Sequence, residues 1–574
     1  MTGSEIRRVP FDKDAISVWA AGSPLHQNWP VVYTINNESE IYVGETTNVE
    51  LRIKQHLAAP AKQNLKVVSV ILDDSFNKSV CLDLESHLIR YFAADDKYVV
   101  TNGNGGITDS DYFDREKYRQ SFDKIFEQLV SDGTLTRSIP DIVNSDLFKY
   151  SPFKALNTDQ AVAVSGVLEF LAEELGSART EPIVIQGDPG TGKTIVAIYL
   201  QKLIRDIARS EPGDALDMDS IFADYFVEGY RGKFEGLTIA FVIPQASLRA
   251  SVAKVFRRTP GMSRADVMSP FELAESTTTY DLVIVDEAHR LQHRANQSSA
   301  ALNKKFADIN HALFGHDDKA LTQLDWIIAK SQHQILLVDS AQSIKPADLP
   351  LATTTELIDR AKNNHSHFRL ASQMRVSGGA DYIAHIGRML SNEVVPHSRD
   401  FGPYEFQLFD DFGEMRDAIL DREHTYGLSR IVAGFAWPWI SKTNKSLYDI
   451  EIDGVEMQWN QTATDWINSA TSLDEVGSIH TVQGYDLNYA GVVIGNDLGW
   501  DEANQTLVFR RDQYFDVKGK ENNPTLGKFY SDQDLLDFVT NIYRVLLTRG
   551  VRGTFVYVMD PALRERLRVC FRAS

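Results

Sequence analysis

Cysteine is nearly absent. Cys81 and Cys570 are the only two in 574 residues, which excludes a disulfide framework and a cysteine-ligated zinc site. Positive charge is also short: 59 Lys and Arg stand against 79 Asp and Glu, a formal net charge of −20. A chain that coats nucleic acid through bulk positive charge is thereby excluded, although basic residues lining a single channel need no such excess. No uninterrupted apolar run reaches membrane-spanning length. The first residues, Met-Thr-Gly-Ser-Glu-Ile-Arg-Arg, lack the apolar centre of a secretory leader. The expectation is a cytoplasmic enzyme without a membrane partner. What is present is ordinary globular material, 43% hydrophobic and 24% charged, and long enough for three or four domains.

The densest signal lies between Pro182 and Leu200. Ile183 to Ile185 reads as a short buried strand, and an apolar, glycine-free segment after Lys193 reads as a helix. Between them, Gly187-Asp188-Pro189-Gly190-Thr191-Gly192-Lys193-Thr194 fills every fixed position of the G-x-x-x-x-G-K-[ST] phosphate loop. Gly187, Gly190 and Gly192 let backbone N–H groups converge on phosphate oxygens, and the helix N-terminus adds partial positive charge. Lys193 reaches the β- and γ-phosphates and the Thr194 hydroxyl binds Mg²⁺. Strand, turn and helix in that order separate this pattern from an ordinary glycine-rich turn, and ATP is the expected cofactor.

Later strands extend the same site. Thr238–Ile243 is a second buried strand, and Asp281–Val285 a third that delivers Asp286 and Glu287 at its C-terminal end. Asp286 is placed to hold Mg²⁺ through water, and Glu287 to orient and deprotonate the attacking water. His289 is a candidate for coupling this site to a neighbouring lobe. Gln334–Val338 is a fourth strand, and Gln342 beyond it is a candidate γ-phosphate sensor. Upstream, Gln160 opens an amphipathic helix some two dozen residues before the loop; its amide carries both donor and acceptor for an adenine edge.

The N-terminal region has a different character. Val31–Ile35 and Ile41–Thr46 flank the polar turn Asn36-Asn37-Glu38-Ser39-Glu40, a β-hairpin pattern. If Asn48 caps the helix that follows, Arg52 and His56 share one face. A second helix, Cys81 to Phe92, carries Glu85 among leucines, and the region closes on Tyr98-Val99-Val100-Thr101-Asn102. Tyr33, Tyr42, Arg52, His56, Glu85 and Asn102 form a set suited to phosphodiester cleavage. One carboxylate holds a divalent cation through water, an arginine neutralises transition-state charge, and a phenol deprotonates water. The set, over residues 30–105, resembles the GIY-YIG nuclease family. Val31-Val32-Tyr33 stands for its first triplet, with valines replacing glycine and isoleucine, and Tyr42-Val43-Gly44 for its second. The resemblance implies that Tyr33 is the general base or its partner and that Tyr42 orients water and phosphate. It also implies that Arg52 and His56 are the family's helical pair, Glu85 its ligand for Mg²⁺ or Mn²⁺, and Asn102 its terminal Asn.

Asn102-Gly103-Asn104-Gly105-Gly106 is a turn-forming break, and Asp109 to Asp132 reads as a connecting helix with one packed face. The stretch Asp214 to Phe226 reads as an acidic surface insertion. Further on, Gln373-Met374-Arg375, the run Ile479-His480-Thr481-Val482-Gln483-Gly484-Tyr485-Asp486, and Tyr543 to Arg549 each stand beside a strand. They resemble motifs IV, V and VI of superfamily 1 helicases, with Arg375 and Arg549 placed to close on the γ-phosphate. Arg430 to Trp439 adds a resemblance, over residues 150–560, to the Schlafen-like helicase domain family. Trp437, Trp439, Trp459 and Trp466 are candidates for stacking on single-strand bases or for core.

The expected architecture is α/β: a small α+β GIY-YIG domain, then two RecA-like doubly wound parallel-sheet lobes. The expected boundaries are 1–106 for the nuclease domain, 107–150 for a helical linker, 151–360 for the first lobe and 361–574 for the second. The resemblances imply an ATP-driven motor on single-stranded or partly duplex DNA or RNA, joined to a metal-dependent endonuclease, with bacterial antiviral defence as a setting. An ATP-switched sensor or clamp with a regulated or inactive nuclease stays open as the alternative. A second copy of the chain, or a defence-system partner, stays open as a further partner.

Overall fold

The computed structural model describes residues 4–102, 112–176, 181–210, 222–226, 228–294, 297, 299–339, 348–462, 466–482, 485–520, 522 and 529–571. The chain folds as two compact units. One comprises Met1–Glu173, Thr194–Gly236 and Ser251–Asp266, the other Glu174–Lys193, Leu237–Ala250 and Val267–Ser574. Among the described residues no helix is long and apolar enough to cross a membrane.

The first unit opens with a five-stranded sheet built from β1 (Glu5–Pro10), β2 (Val31–Asn36), β3 (Glu40–Thr46), β4 (Val67–Leu72) and β5 (Val99–Val100). The spatial order is β1-β4-β2-β3-β5, antiparallel throughout except for the β3–β5 pair. The hairpin pattern becomes β2 and β3 because Asn37 Oδ1 accepts from the backbone N–H groups of Ser39 and Glu40 at 2.8 and 2.7 Å and closes the turn. Central β2 is buried from Val31 to Ile35, as a continuous apolar run requires. Helices α1 (Lys13–Ala20), α2 (Val49–Ala58) and α3 (Lys78–Asp95) complete the layer. Asn48 caps α2 by accepting from Leu51 N–H. The connecting helix α4 (Arg115–Ser131) buries Phe122, Ile125, Phe126 and Leu129. It is tied to α3 through Asp83, which accepts from the Tyr112 hydroxyl at 2.9 Å and pairs with Arg115 at 3.3 Å. Two short helices, α5 (Ile139–Asn144) and α6 (Asp146–Lys149), lead to α7 (Thr158–Glu174). The helix after the phosphate loop is α8 (Lys193–Arg209), whose Val196, Ile198, Leu200, Leu203 and Ile207 are all buried.

The second unit contains two larger sheets. The first is built from β6 (Ile183–Gly187), β7 (Ile239–Val242), β8 (Val267–Met268), β9 (Tyr280–Val285), β10 (Ser331–Val338) and β11 (His367–Leu370). It is wholly parallel, in the order β11-β6-β10-β9-β7-β8. Leu370 pairs with Gly187, so this sheet runs past the expected boundary at residue 360, because β11 supplies the edge partner that β6 needs. The second sheet takes β12 (Glu405–Phe409), β13 (Ser429–Ala433), β14 (Ile450–Ile452), β15 (Val455–Trp459), β16 (Glu475–Ser478) and β17 (Leu487–Ile494). After a small hairpin of β18 (Leu498–Asp501) and β19 (Thr506–Phe509), it ends with β20 (Gly550–Val558). Its order is β12-β20-β17-β13-β16-β15-β14, parallel but for the β14–β15 hairpin. Both are the doubly wound sheets expected, and the C-terminal ends of their strands form the edge where ligands bind in such folds.

Two of the four tryptophans are core. Trp466 is fully buried, donates from Nε1 to Glu475 at 2.7 Å, and lies where a Cβ on Gly477 would fall. Trp459 is 2% exposed. Neither presents a face for base stacking: Trp466 fills the space over the glycine of β16, and Trp459 is buried at the end of β15.

Candidate functional site

The first candidate site sits on β2, β3, α2 and α3. Tyr33 is fully buried, and β-sheet register puts Gly44 opposite it. A Cβ on Gly44 would fall onto the Tyr33 hydroxyl, so this glycine is required by close approach. Tyr33 Oη lies 2.7 Å from His56 Nε2, and Arg52 hydrogen-bonds the same hydroxyl. Lys62, in the turn after α2, places Nζ 2.8 Å from His56 Nδ1 and 3.3 Å from the centre of the Tyr42 ring. An ammonium only donates. His56 Nδ1 is therefore the acceptor, its proton sits on Nε2, and Tyr33 Oη receives that proton as a hydrogen bond. Burial, then Lys62 and Arg52, lower the His56 pKa to about 3, so the ring is neutral. Burial and the nearby Tyr42 raise the Tyr33 pKa well above its ordinary value, with Arg52 acting in the opposite direction.

Glu85 is buried on α3 one turn after Cys81, whose thiol is pushed up by burial and by Glu45 and Glu85. Glu45 is paired with Lys78 at 2.5 Å. Among the described residues no group of three or more His, Cys, Asp or Glu could hold a metal. The donor set fits an ion bound by one protein carboxylate, with water and phosphate oxygens supplying the rest. Asn102 accepts from Val43 N–H at 3.0 Å and donates to Val43 C=O at 2.7 Å. Its amide clamps the end of the sheet to β3, the place of a positioning residue.

The second candidate site lies at the C-terminal edge of the first parallel sheet. Gly190 and Gly192 have φ of +84° and +80°, which favours glycine at both. Lys193 donates from Nζ to the carbonyls of Gly187 and Asp188 at 2.6 and 3.1 Å, and stands 3.4 Å from Asp339 at the end of β10. Thr194 follows in the first turn of α8. Asp286 is fully buried and accepts from Glu287 N–H at 3.0 Å. Glu287 adopts a left-handed φ of +53°, a strained conformation of the kind that clusters at functional sites. Its carboxylate is 3.0 Å from Arg290 Nε and 3.2 Å from His289 Nε2. His289 Nδ1 accepts from Asp339 N–H at 3.2 Å, so the imidazole proton is on Nε2, facing Glu287. Burial opposes charge on Glu287, but His289, Arg290 and Lys193 outweigh it and hold the carboxyl well below the usual range.

Two arginines belong to the segments that follow: Arg375, between β11 and β12, and Arg549, immediately before β20. Gln373 donates to Pro189 C=O at 2.7 Å and accepts from Arg375 N–H at 2.9 Å, and Met374 N–H donates to Gly190 C=O at 2.9 Å. Arg375 is ion-paired with Asp486. Arg549 is buried, donates to Tyr485 C=O at 3.3 Å, and its Nε has no hydrogen-bond partner. Burial first, then Arg375, lower its pKa to about 9, while Asp486 and Glu287 pull the other way. The Gln373–Arg375 segment is thus held on the phosphate loop, and the charges of Arg375, Asp486 and Glu287 all act on Arg549.

Gln160 is 1% exposed at the start of α7. Its side-chain oxygen accepts from Asn157 N–H at 3.2 Å while Asn157 Oδ1 accepts from Gln160 N–H at 2.9 Å, a reciprocal helix cap. Gln342 lies outside the described residues, as do Gln483 and Gly484. Lys62, Asp339, Arg290 and Asp486 were not singled out by the sequence patterns. An acid closing a parallel strand was the available signal for Asp339; Lys62 follows a proline break and carries none.

A glycine loop and acid-ended strands on one parallel sheet, followed by a second largely parallel sheet, define a fold of two RecA-like lobes. Residues 180–560 match the family described as Schlafen group 3, DNA/RNA helicase domain, and residues 30–98 match the GIY-YIG catalytic domain. The chain belongs to the Schlafen group 3 helicase-domain family and carries a GIY-YIG domain ahead of the two RecA-like lobes. It is similar to an uncharacterized protein of Saccharomyces cerevisiae, YPL245W, with 28% identity over 441 residues, covering 72% of this chain and 90% of the yeast protein. It also aligns with a DEAD box protein from the hyperthermophile Methanococcus jannaschii, at 12% identity and a TM-score of 0.21, over 71% of this chain and 88% of that one. That score is too low to bear on either fold or function.

Proposed function

We propose that the chain is an ATP-driven superfamily 1 type motor for DNA or RNA, joined to a metal-dependent GIY-YIG endonuclease. The observation that carries the motor reading is the bonding of the Gln373–Arg375 segment to the phosphate loop at Pro189 and Gly190, with Arg375 Cβ packed against Gly190. In this reading Lys193 exchanges its carbonyl partners for phosphate oxygens, and the two arginines close on the γ-phosphate, where they stabilise transition-state charge. Glu287, held ionised by His289 and Arg290, orients water more readily than it takes a proton. Mg²⁺ held at Thr194 and Asp286 would neutralise charge on the phosphates. In the nuclease, Tyr33 would be the general base or its partner, Arg52 would neutralise transition-state charge, and Glu85 would hold the Mg²⁺ or Mn²⁺, which would supply the activation of water. The corresponding domains are 1–106, a linker 107–150, a first lobe from 151 and a second lobe ending at 574, with the lobe boundary placed after Leu370. Restriction of foreign nucleic acid suits such a pair. DNA repair and RNA turnover suit it as well.

ATPase titration with single- and double-stranded DNA and RNA tests the motor. Stimulation by one of the four is expected, and Lys193→Ala should abolish turnover; retained turnover in that variant overturns the assignment. Glu85→Ala should abolish cleavage while ATPase persists. Wild-type protein that cleaves none of the four with Mg²⁺ or Mn²⁺ overturns the nuclease. A second reading, an ATP-switched clamp, is favoured by the Arg375–Asp486 pair, which nucleotide must displace. Hydrolysis without strand displacement distinguishes it.

A further inference from the structure

The chain between β13 and β15 carries a surface that neither site uses. Its base is rigid: buried Asp449 accepts from the N–H groups of Ser441 and Trp459, each at 2.7 Å, and from the Ser441 hydroxyl. Gln458 Nε2 donates to the carbonyls of Lys445 and Leu447 at 2.6 and 3.1 Å. On this frame Trp439 is 37% and Tyr448 50% exposed, with Ile440 and Leu447 also exposed beside them. Lys442 stands 5.1 Å from the centre of the Trp439 ring. From Trp437 to Tyr448 there are two lysines, Lys442 and Lys445, and no carboxylate, in a chain whose formal charge is −20.

We propose that this loop is a stacking platform for single-stranded nucleic acid, with Trp439 and Tyr448 receiving bases and Lys442 and Lys445 meeting phosphates. The proposal rests on the reading above that the motor engages nucleic acid. Three observations choose this occupant. Aromatic faces interleaved with cations are what sequence-tolerant single-strand binding requires, whereas lysine is depleted at protein–protein interfaces. The loop emerges from the C-terminal end of β13, which runs parallel to β16, so it shares an edge with the His480 segment. Packed rings anchor the base of the loop to that segment: ring centres step from His480 to Phe435 at 5.2 Å, Phe435 to buried Trp459 at 5.7 Å, and Trp459 to Trp437, two residues before Trp439, at 6.3 Å. Beyond the loop, Glu451 and Glu456 face each other across the β14–β15 hairpin and are exposed. They form an acidic border that directs a phosphate chain toward the lysines.

Fluorescence anisotropy of labelled oligothymidylate and oligouridylate with the full chain tests this. Trp439→Ala with Tyr448→Ala is expected to weaken binding roughly thirtyfold or more, and Trp439→Phe to retain most of it. Lys442→Gln with Lys445→Gln should flatten the slope of log K against log salt by roughly 1.4, the release expected for two phosphates on a single strand. Wild-type binding left unchanged by the aromatic pair overturns the platform and leaves the motor reading standing. No binding of either oligonucleotide by wild type overturns both.

Discussion

Replacing Lys62 by methionine isolates one interaction that organises the N-terminal site. With the ammonium 2.8 Å from Nδ1, protonating His56 would place two cations in contact, and the ring is buried as well. Burial is the larger cause and Lys62 the second in lowering its pKa from 6.5 to about 3. The sign follows from linkage. Above pH 6.5 the ring is neutral whether folded or not, and the full stability is present. Below 6.5 the unfolded chain takes a proton that the folded chain refuses, so stability falls by about 1.4 kcal/mol per pH unit until about pH 3. The loss from His56 alone is about 1.4 kcal/mol at pH 5.5 and about 2.7 kcal/mol at pH 4.5. Lys62→Met removes the second cause, so the folded pKa rises and the acid loss shrinks. It also releases Nδ1, so the single tautomer that donates to Tyr33 gives way to a mixture. The ¹³Cε1–¹H signal of His56, assigned by its disappearance in His56→Gln, reports both effects across a titration from pH 8 to pH 4. A wild-type ring titrating near 6.5, or an unchanged titration in Lys62→Met, refutes the reasoning.

Gly44→Ala drives a methyl into the Tyr33 hydroxyl. It should cost roughly 1–3 kcal/mol of stability in the first unit, read from its urea midpoint, and shift the His56 resonance; an unchanged midpoint refutes the close approach. Arg375→Ala should lower kcat for ATP hydrolysis roughly a thousandfold if the guanidinium stabilises transition-state charge, and a change confined to KM would assign it to ground-state binding instead. Asp497 is buried after β17, accepts from the Tyr543 hydroxyl at 2.6 Å, and is raised by burial to about 7. Folded chain therefore keeps a proton that unfolded chain gives up above 3.8. Stability of the second sheet should fall by roughly 1.4 kcal/mol per pH unit from about 3.8 to 7. Asp497→Asn should flatten that decline in pH-dependent thermal melts, and an equal decline in the variant would refute it.

The elements were legible where one physical pattern dominates. Ile183–Ile185, Thr238–Ile243 and Asp281–Val285 read as strands because parallel strands covered on both faces are continuously apolar. The helix after Asn48 read correctly because its cap is local. What was not legible is contact across elements. Spacing placed Arg52 and His56 on one face, but Lys62 reaches His56 only because the chain doubles back after Pro60. Trp459 and Trp466 looked like Trp439 in sequence; the glycine in β16 that makes room for Trp466 is a neighbour only across the fold. Asn102 and Gln160 were read as chemistry, and each has a backbone partner that no spacing reveals. Parallel register leaves no trace in spacing, so Asp339 could not be aligned with Lys193 beforehand.

The two arginines are not equivalent, and the difference lies in what each is fastened to. Leu370 ends β11, paired with Gly187 of β6. Within the next few residues Gln373 and Met374 bond the phosphate loop itself, and Ser377 N–H reaches Val551 C=O in β20 at 2.9 Å. Arg375 therefore sits on a segment bonded to the first sheet at one end and to the second at the other. Arg549 immediately precedes β20 and bonds Tyr485 and Leu487 of the second sheet. In the motor proposed above, a displacement of the phosphate loop would reach Arg375 through Gln373 directly, whereas Arg549 would approach only with the second sheet. Asp486 is the group both share: it pairs with Arg375 and offsets the buried charge of Arg549. Withdrawing Arg375 toward a phosphate would remove a like charge from beside Arg549 and release Asp486 to compensate it. In the motor proposed above, nucleotide occupancy would therefore reach the second sheet through Asp486, given up by Arg375 and drawn to Arg549.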